Sequence, residues 1–212
     1  MKPLILFDFD GTLVDSVDAM LLSLNEVCSE RGLSARFSRE DFEDHPVERL
    51  VKKAGLWFWQ VPGFVHSFRE HFAKHMPEVD LHPGLVPLLR NVSSYAQLGI
   101  ISTNKEDNIR AVLKRNDLEE LFVFVRQAGF FSKSKVIRRA RKEEAVDKFK
   151  TLYVGDEVRD VHAARRAGVD CLSVAWGLQG EAALLRARPR MLAHDVEEAE
   201  HLLKAWLVSR GD

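Results

Sequence analysis

The sequence predicts an α/β fold: a doubly wound parallel sheet carrying a small all-α subdomain inserted after its first strand. Three observations predict it. Short apolar runs without alternation recur at 4–7, 98–102, 122–125, 152–154 and 171–175, as strands covered on both faces do. Helical spacing fills the gaps between the later runs, at 107–115, 159–167 and 197–208. Between 16 and 83 no strand pattern occurs, only helical spacing.

Taken in order, the first strand is Leu4-Ile5-Leu6-Phe7, stopped by Asp8. The insertion follows, with helices expected over 19–31, 39–54 and 62–75. Pro62 suits a first helical turn, Phe64, Phe68 and Phe72 recur at four-residue spacing as one apolar stripe, and Pro77 ends the run. The aromatic trio Trp57-Phe58-Trp59 is expected to serve packing rather than ligand binding. A further helix is expected over 133–145. The division that results is an α/β core at 1–15 and 84–212 with a helical cap at 16–83.

Composition narrows the class. The chain has 212 residues, with 31 basic against 32 acidic side chains and a net charge of −1. Such balance argues against a nucleic-acid partner, and the basic run Arg138–Lys142 reads as a solvated helix face. Cys28 and Cys171 are too few for a disulfide framework or a zinc site, which favours a cytoplasmic location. No apolar stretch reaches membrane-span length, and Asp8 interrupts the N-terminal run well before a leader core would be complete.

Chemistry concentrates after two of the strands. Asp8-Phe9-Asp10-Gly11-Thr12 places two carboxylates on one face just beyond a buried strand, where α/β sheets bind ligands. Chance supplies that pattern in a few chains per thousand, roughly. Gly155-Asp156-Glu157-Val158-Arg159-Asp160 follows another apolar run and is weak alone, since roughly one chain in twenty-five contains its spacing. Together the two motifs bring Asp8, Asp10, Asp156 and Asp160 towards adjacent strand ends. Carboxylates so gathered require a cation, and an oxygen-only donor set points to Mg²⁺. Thr103-Asn104 at the end of a third strand and Lys133 at a helix start complete the set, with Lys135 the competitor for Lys133.

These residues resemble the four sequence motifs of the haloacid dehalogenase superfamily, specifically its phosphatases with a helical cap after the first motif. The segment Tyr153–Asp160, with Val174-Ala175-Trp176-Gly177, is similar to the phosphoglycolate phosphatase-like subgroup. The resemblance implies a Rossmann-like core and an aspartyl-phosphate mechanism. Asp8 would be the nucleophile, and Asp10 the acid and then base, its carbonyl also touching Mg²⁺. Asp156 and Asp160 would be metal ligands. Gly11, Thr12, Thr103, Asn104 and Lys133 would hold the phosphoryl group.

Ser132 departs from the family, where Gly is usual, and the cap segment around Asp44–Arg49 gives no clean match. Arg49 is a candidate contact to a substrate carboxylate. Asp10 argues against a dehalogenase, whose leaving halide needs no proton. Lys52, Lys53 and Lys74 read as solvated helix faces, against a phosphonatase. A phosphomutase shares every catalytic residue and stays open, as does a non-enzymatic binding protein, which would not need both Asp8 and Asp10. No phosphate-binding P-loop pattern occurs. Glu157 and His162 are expected to border the site and Tyr153 to lie in the core. A small phosphate ester is the expected partner, bound by a monomer or homodimer.

Overall fold

The structure is a computed structural model that describes residues 2–43, 47–129 and 132–210. Six parallel strands form one sheet: β1 (Leu4–Phe7), β2 (Gln97–Ser102), β3 (Phe122–Gln127), β4 (Thr151–Gly155), β5 (Asp170–Val174) and β6 (Met191–Ala193). Their order in space is β3-β2-β1-β4-β5-β6. The chain therefore winds outward in opposite directions from β1 and β4, and the crevice between those two strands is a ligand-binding switch point.

The helices are α1 (Val17–Glu30), α2 (Glu40–Glu43), α3 (Val47–Lys53), α4 (Val61–His75), α5 (Leu85–Ser93), α6 (Glu106–Arg115), α7 (Lys133–Glu143), α8 (Val158–Ala167), α9 (Glu181–Ala187) and α10 (Val196–Val208). Alternation along β1 splits the core into two layers. Ile5 and Phe7 join Leu98, Ile100 and Val154 under α5, α6 and α10. Leu4 and Leu6 join Ile101, Tyr153 and Cys171 under α7 and α8. A third apolar cluster, with Val17, Val27, Phe37, Phe42 and Phe64, sits among α1–α4 and takes in Leu178 from the loop after β5.

The chain leaves the sheet layer and returns to it side by side. Asp15 N–H donates to the Asp80 carbonyl (2.9 Å), and His82 N–H donates to that of Leu13 (3.0 Å). Val14 and Leu81 form an antiparallel bridge between these bonds.

Several expectations need correction. Of the helix expected over 39–54, α2 (Glu40–Glu43) and α3 (Val47–Lys53) are described, and 44–46 lie outside the described residues. β3 is the sheet edge rather than a strand covered on both faces; Val123 is 54% exposed. The aromatic trio is not packed inside. Trp57, Phe58 and Trp59 are exposed, and the two indoles stack on each other at 5.2 Å. Three elements were not anticipated: α5, α9 and β6. Leu85, Leu88, Leu89 and Val92 carry the helical spacing of α5, and Pro87 sits in its first turn, where the missing N–H does no harm.

Candidate active site

β1 and β4 end side by side, with Phe7 in register with Val154. The residues that follow them therefore meet. Asp8, Asp156 and Asp160 are 2%, 0% and 0% exposed, and a carboxylate oxygen from each lies within 4.8 Å of the other two. Lys133, 3% exposed at the first position of α7, reaches between them. Its Nζ donates to Asp8 Oδ2 and to Asp160 Oδ1, both at 2.6 Å, and lies 5.4 Å from the Tyr153 ring centre. Lys135 is exposed. One helical turn carries side chains two apart to different faces, so only one of the two lysines can point inward.

Each carboxylate is held by further donors. Asp8 Oδ1 accepts from the Phe9 N–H at 2.8 Å. Asp156 accepts from the Thr12 hydroxyl at 2.7 Å and from the Leu178 N–H at 2.8 Å. Asp160 accepts from the Glu157 N–H at 3.1 Å, within the α8 N-terminal capping box. Asp10 lies partly open to a neighbouring cavity, and its Oδ1 accepts from Asn104 Nδ2 at 3.0 Å. Asn104 Oδ1 in turn accepts from Lys105 N–H and from Asn108 Nδ2.

Electrostatics follow from this crowding. Burial, and then Glu157, Asp160 and Asp8, hold Asp156 well above the usual carboxylate range. Burial pushes Asp160 up to about 6 although Lys133 opposes it, and burial together with Asp8 pushes Asp10 up to about 7. Burial disfavours the Lys133 ammonium, yet Asp160 and Asp8 more than offset that and raise its pKa. Arg159 pairs with Glu157, and the Lys133 ammonium bonds two of the three buried carboxylates, Asp8 and Asp160. An all-oxygen cluster with excess negative charge fits a hard divalent cation.

Several donors at the site are engaged within the protein. The Gly11 N–H donates to the Val14 carbonyl (3.0 Å) and lies 3.2 Å from Ser16 Oγ, while the Thr12 hydroxyl is turned to Asp156. The Asn104 N–H donates to Ser102 Oγ at 3.2 Å. These residues are at the site, but their donors brace its walls. Thr103 lines the cavity beside Asp10. The Arg49 side chain lies outside the described residues. His162 is exposed, Glu157 is buried beside the carboxylates, and Tyr153 is wholly buried with its hydroxyl donating to the Ile101 carbonyl at 2.7 Å.

Sequence reasoning placed Gly11 at the turn of the first motif but missed how closely the carboxylates approach Gly11, Gly155 and Gly177. Gly11 has φ +72°, and a Cβ there would strike the Asp156 carboxylate. A Cβ on Gly177 would lie 2.6 Å from Asp156 Cγ, and one on Gly155 would lie 2.7 Å from Asp160 Cγ. Gly177→Ala is expected to displace Asp156 and lower kcat/KM on the order of 10–100-fold, with unchanged far-ultraviolet circular dichroism. A wild-type kcat/KM would show that Asp156 tolerates displacement. Asn108 and Gln179 were also missed; Gln179 Oε1 accepts the Val158 N–H at 2.6 Å and so fixes the start of α8.

Comparison with known proteins agrees with this geometry. The haloacid dehalogenase-like hydrolase family model matches residues 5–174. A phosphoglycolate phosphatase of Synechococcus elongatus is 34% identical over 206 residues, covering 95% of each chain. One from Agrobacterium fabrum is 26% identical, covering all of this chain and 96% of that protein. Among solved structures, a haloacid dehalogenase-like family hydrolase from Streptococcus pneumoniae superposes with a TM-score of 0.83 at 26% identity, over 95% of this chain and 98% of that one. Sheet order, carboxylate cluster and sequence relatives agree, and the chain belongs to the haloacid dehalogenase-like hydrolase family and to its phosphatases.

Proposed function

We propose that this protein hydrolyses small phosphate monoesters with Mg²⁺ through an aspartyl-phosphate formed on Asp8. The observation that carries the reading is Lys133, buried at the sheet's switch point and bonded at once to Asp8 and Asp160. An anionic nucleophile attacking an anionic ester needs fixed positive charge, and a desolvated ammonium supplies it where its effect is strongest. The named relatives add phosphoglycolate to the substrates worth testing.

In this reading Asp8 Oδ2 attacks phosphorus, and the P–O bond to the alcohol breaks. Asp10, braced by Asn104, gives its proton to the departing oxygen. It then takes a proton from the water that attacks the phosphorus of the aspartyl-phosphate, which frees Asp8 and releases phosphate. Thr103, lining the cavity, hydrogen-bonds the phosphoryl oxygens, while Thr12 and Leu178 N–H keep Asp156 in place. Mg²⁺, held by Asp8, Asp156, Asp160 and the Asp10 carbonyl, would neutralise phosphoryl charge. Residues 16–83 act as a cap over this chemistry, hinged where 13–15 and 80–82 run side by side.

No helix among the described residues is long and apolar enough to cross a membrane. Both cysteines are buried free thiols, which favours a reducing cytoplasm, where the protein acts as a monomer or homodimer.

A phosphate-release assay with an excess of chelator tests the reading. Activity is expected to vanish, to return with added Mg²⁺, and to return poorly with Ca²⁺, whose looser coordination misplaces the reacting oxygens. Full activity in excess chelator would overturn it.

A further inference from the structure

Above the carboxylates lies a cavity of about 240 Å³ that begins at Asp10 and Asp156 and extends into the cap helices. Its walls divide sharply by chemistry. The polar lining residues Asp10, Thr103, Asn104, Asn108 and Gln179 all come from loops or helix starts at the carboxyl edge of the sheet, as do the charged Lys105, Glu157 and Arg159. The described lining residues that belong to the cap are apolar, Arg69 excepted, and Arg69 is exposed. Phe37, Phe42, Phe64, Phe68 and Phe72 give that upper half five aromatic rings.

Such a wall selects by what it lacks. A sugar, a polyol or a nucleoside placed there would bury hydroxyl or amide groups with no partner, and each unpaired group is unfavourable. Apolar walls accept apolar groups; an enclosed cavity of about 150 Å³ lined by such side chains takes benzene. The phosphate end is polar and the alcohol end is not.

We propose that the esters preferred by this site carry an apolar alcohol, alkyl or aryl, that fills the phenylalanine-lined cavity of the cap. This rests on the phosphatase reading above and specifies the leaving group that the reading leaves open. Phosphoglycolate, with a carboxylate in place of an alkyl chain, leaves the upper cavity unfilled and meets only Arg69 among the cap's described lining side chains.

The test is a series of n-alkyl phosphates from ethyl to hexyl, assayed with the Mg²⁺-loaded full chain. Their alcohols are nearly equal in basicity, so bond breaking is held constant while apolar area grows. Burial predicts a rise in kcat/KM of about fourfold per methylene, on the order of a hundredfold from ethyl to hexyl. Hexyl phosphate is expected to exceed glycerol phosphate and phosphoglycolate. Binding of the matching alkylphosphonates, followed by calorimetry, is expected to show the same slope in Kd. Ala54→Phe, which adds a ring to the cavity wall, is expected to lower the hexyl-to-ethyl ratio; an unchanged ratio in the folded variant would count against the seat.

The failures are distinguishable. Hydrolysis with a flat or falling slope, or with phosphoglycolate preferred to hexyl phosphate, overturns the apolar leaving group and leaves the phosphatase intact. No hydrolysis of any ester, with phosphonates still binding more tightly as the chain lengthens, overturns the phosphatase reading and keeps the cavity's preference. Phosphonate binding that is absent or indifferent to chain length overturns the inference outright.

Discussion

Asp8→Asn is expected to cut kcat for phosphate release by about 10⁴-fold or more while the protein stays folded. The amide has nearly the shape of the carboxylate. Its one carbonyl oxygen can keep one of the two donors that Asp8 takes on separate oxygens, the Phe9 N–H at 2.8 Å or Lys133 Nζ at 2.6 Å. What it loses is the charge that attacks phosphorus. The measurement is steady-state phosphate release beside a thermal melt; more than a few per cent of wild-type kcat would remove Asp8 from the nucleophile's role. Asp10→Asn is also expected to be crippled with alkyl esters. With a nitrophenyl ester it is expected to form phosphoenzyme readily, because that leaving group needs little protonation.

The second large effect separates two lysines that the sequence places side by side. Lys133→Ala is expected to lower kcat/KM by about 10²–10³-fold, since it deletes a preorganised charge in a site with little water. It also leaves Asp8 and Asp160 buried without their shared partner, so metal-free protein is expected to lose about 3–5 kcal/mol of stability. Lys135→Ala is expected to match wild type in both, because its side chain is exposed. Kinetics at saturating Mg²⁺ and denaturant melts in chelator check the pair. The reverse ranking would mean that α7 enters the site half a turn out of register.

The sheet was largely legible because β1, β2, β4 and β5 are short, almost wholly buried and each built around an apolar run, a pattern that helices of their neighbours' length do not share. β6 was not, since three residues, two of them half-exposed, carry no pattern of their own and are fixed by pairing with β5. The edge position of β3 depends on strand order, which residue patterns do not encode. Asp8, Asp10, Asp156 and Asp160 were legible because each pair falls at a set distance beyond an apolar run.

Their support was not. Gly177 and the Leu178 N–H lie more than twenty residues beyond Asp156 and meet it only because β5 pairs with β4. Thr12, Gly11 and Asn104 lie beside the carboxylates, and their hydrogen bonds turn to neighbouring protein groups, a choice set by tertiary geometry. The exposure of Trp57, Phe58 and Trp59 runs against their hydrophobicity, and composition alone could not foresee it.

Trapping the covalent intermediate tests the central claim most directly. Asp10→Asn protein turned over on a nitrophenyl phosphate with Mg²⁺, quenched in acid and treated with hydroxylamine, would be digested and sequenced by mass spectrometry. An acyl phosphate on Asp8 predicts a hydroxamate at Asp8, absent from the Asp8→Asn control. Release of nitrophenol with the hydroxamate at another residue, or at none, would contradict the account.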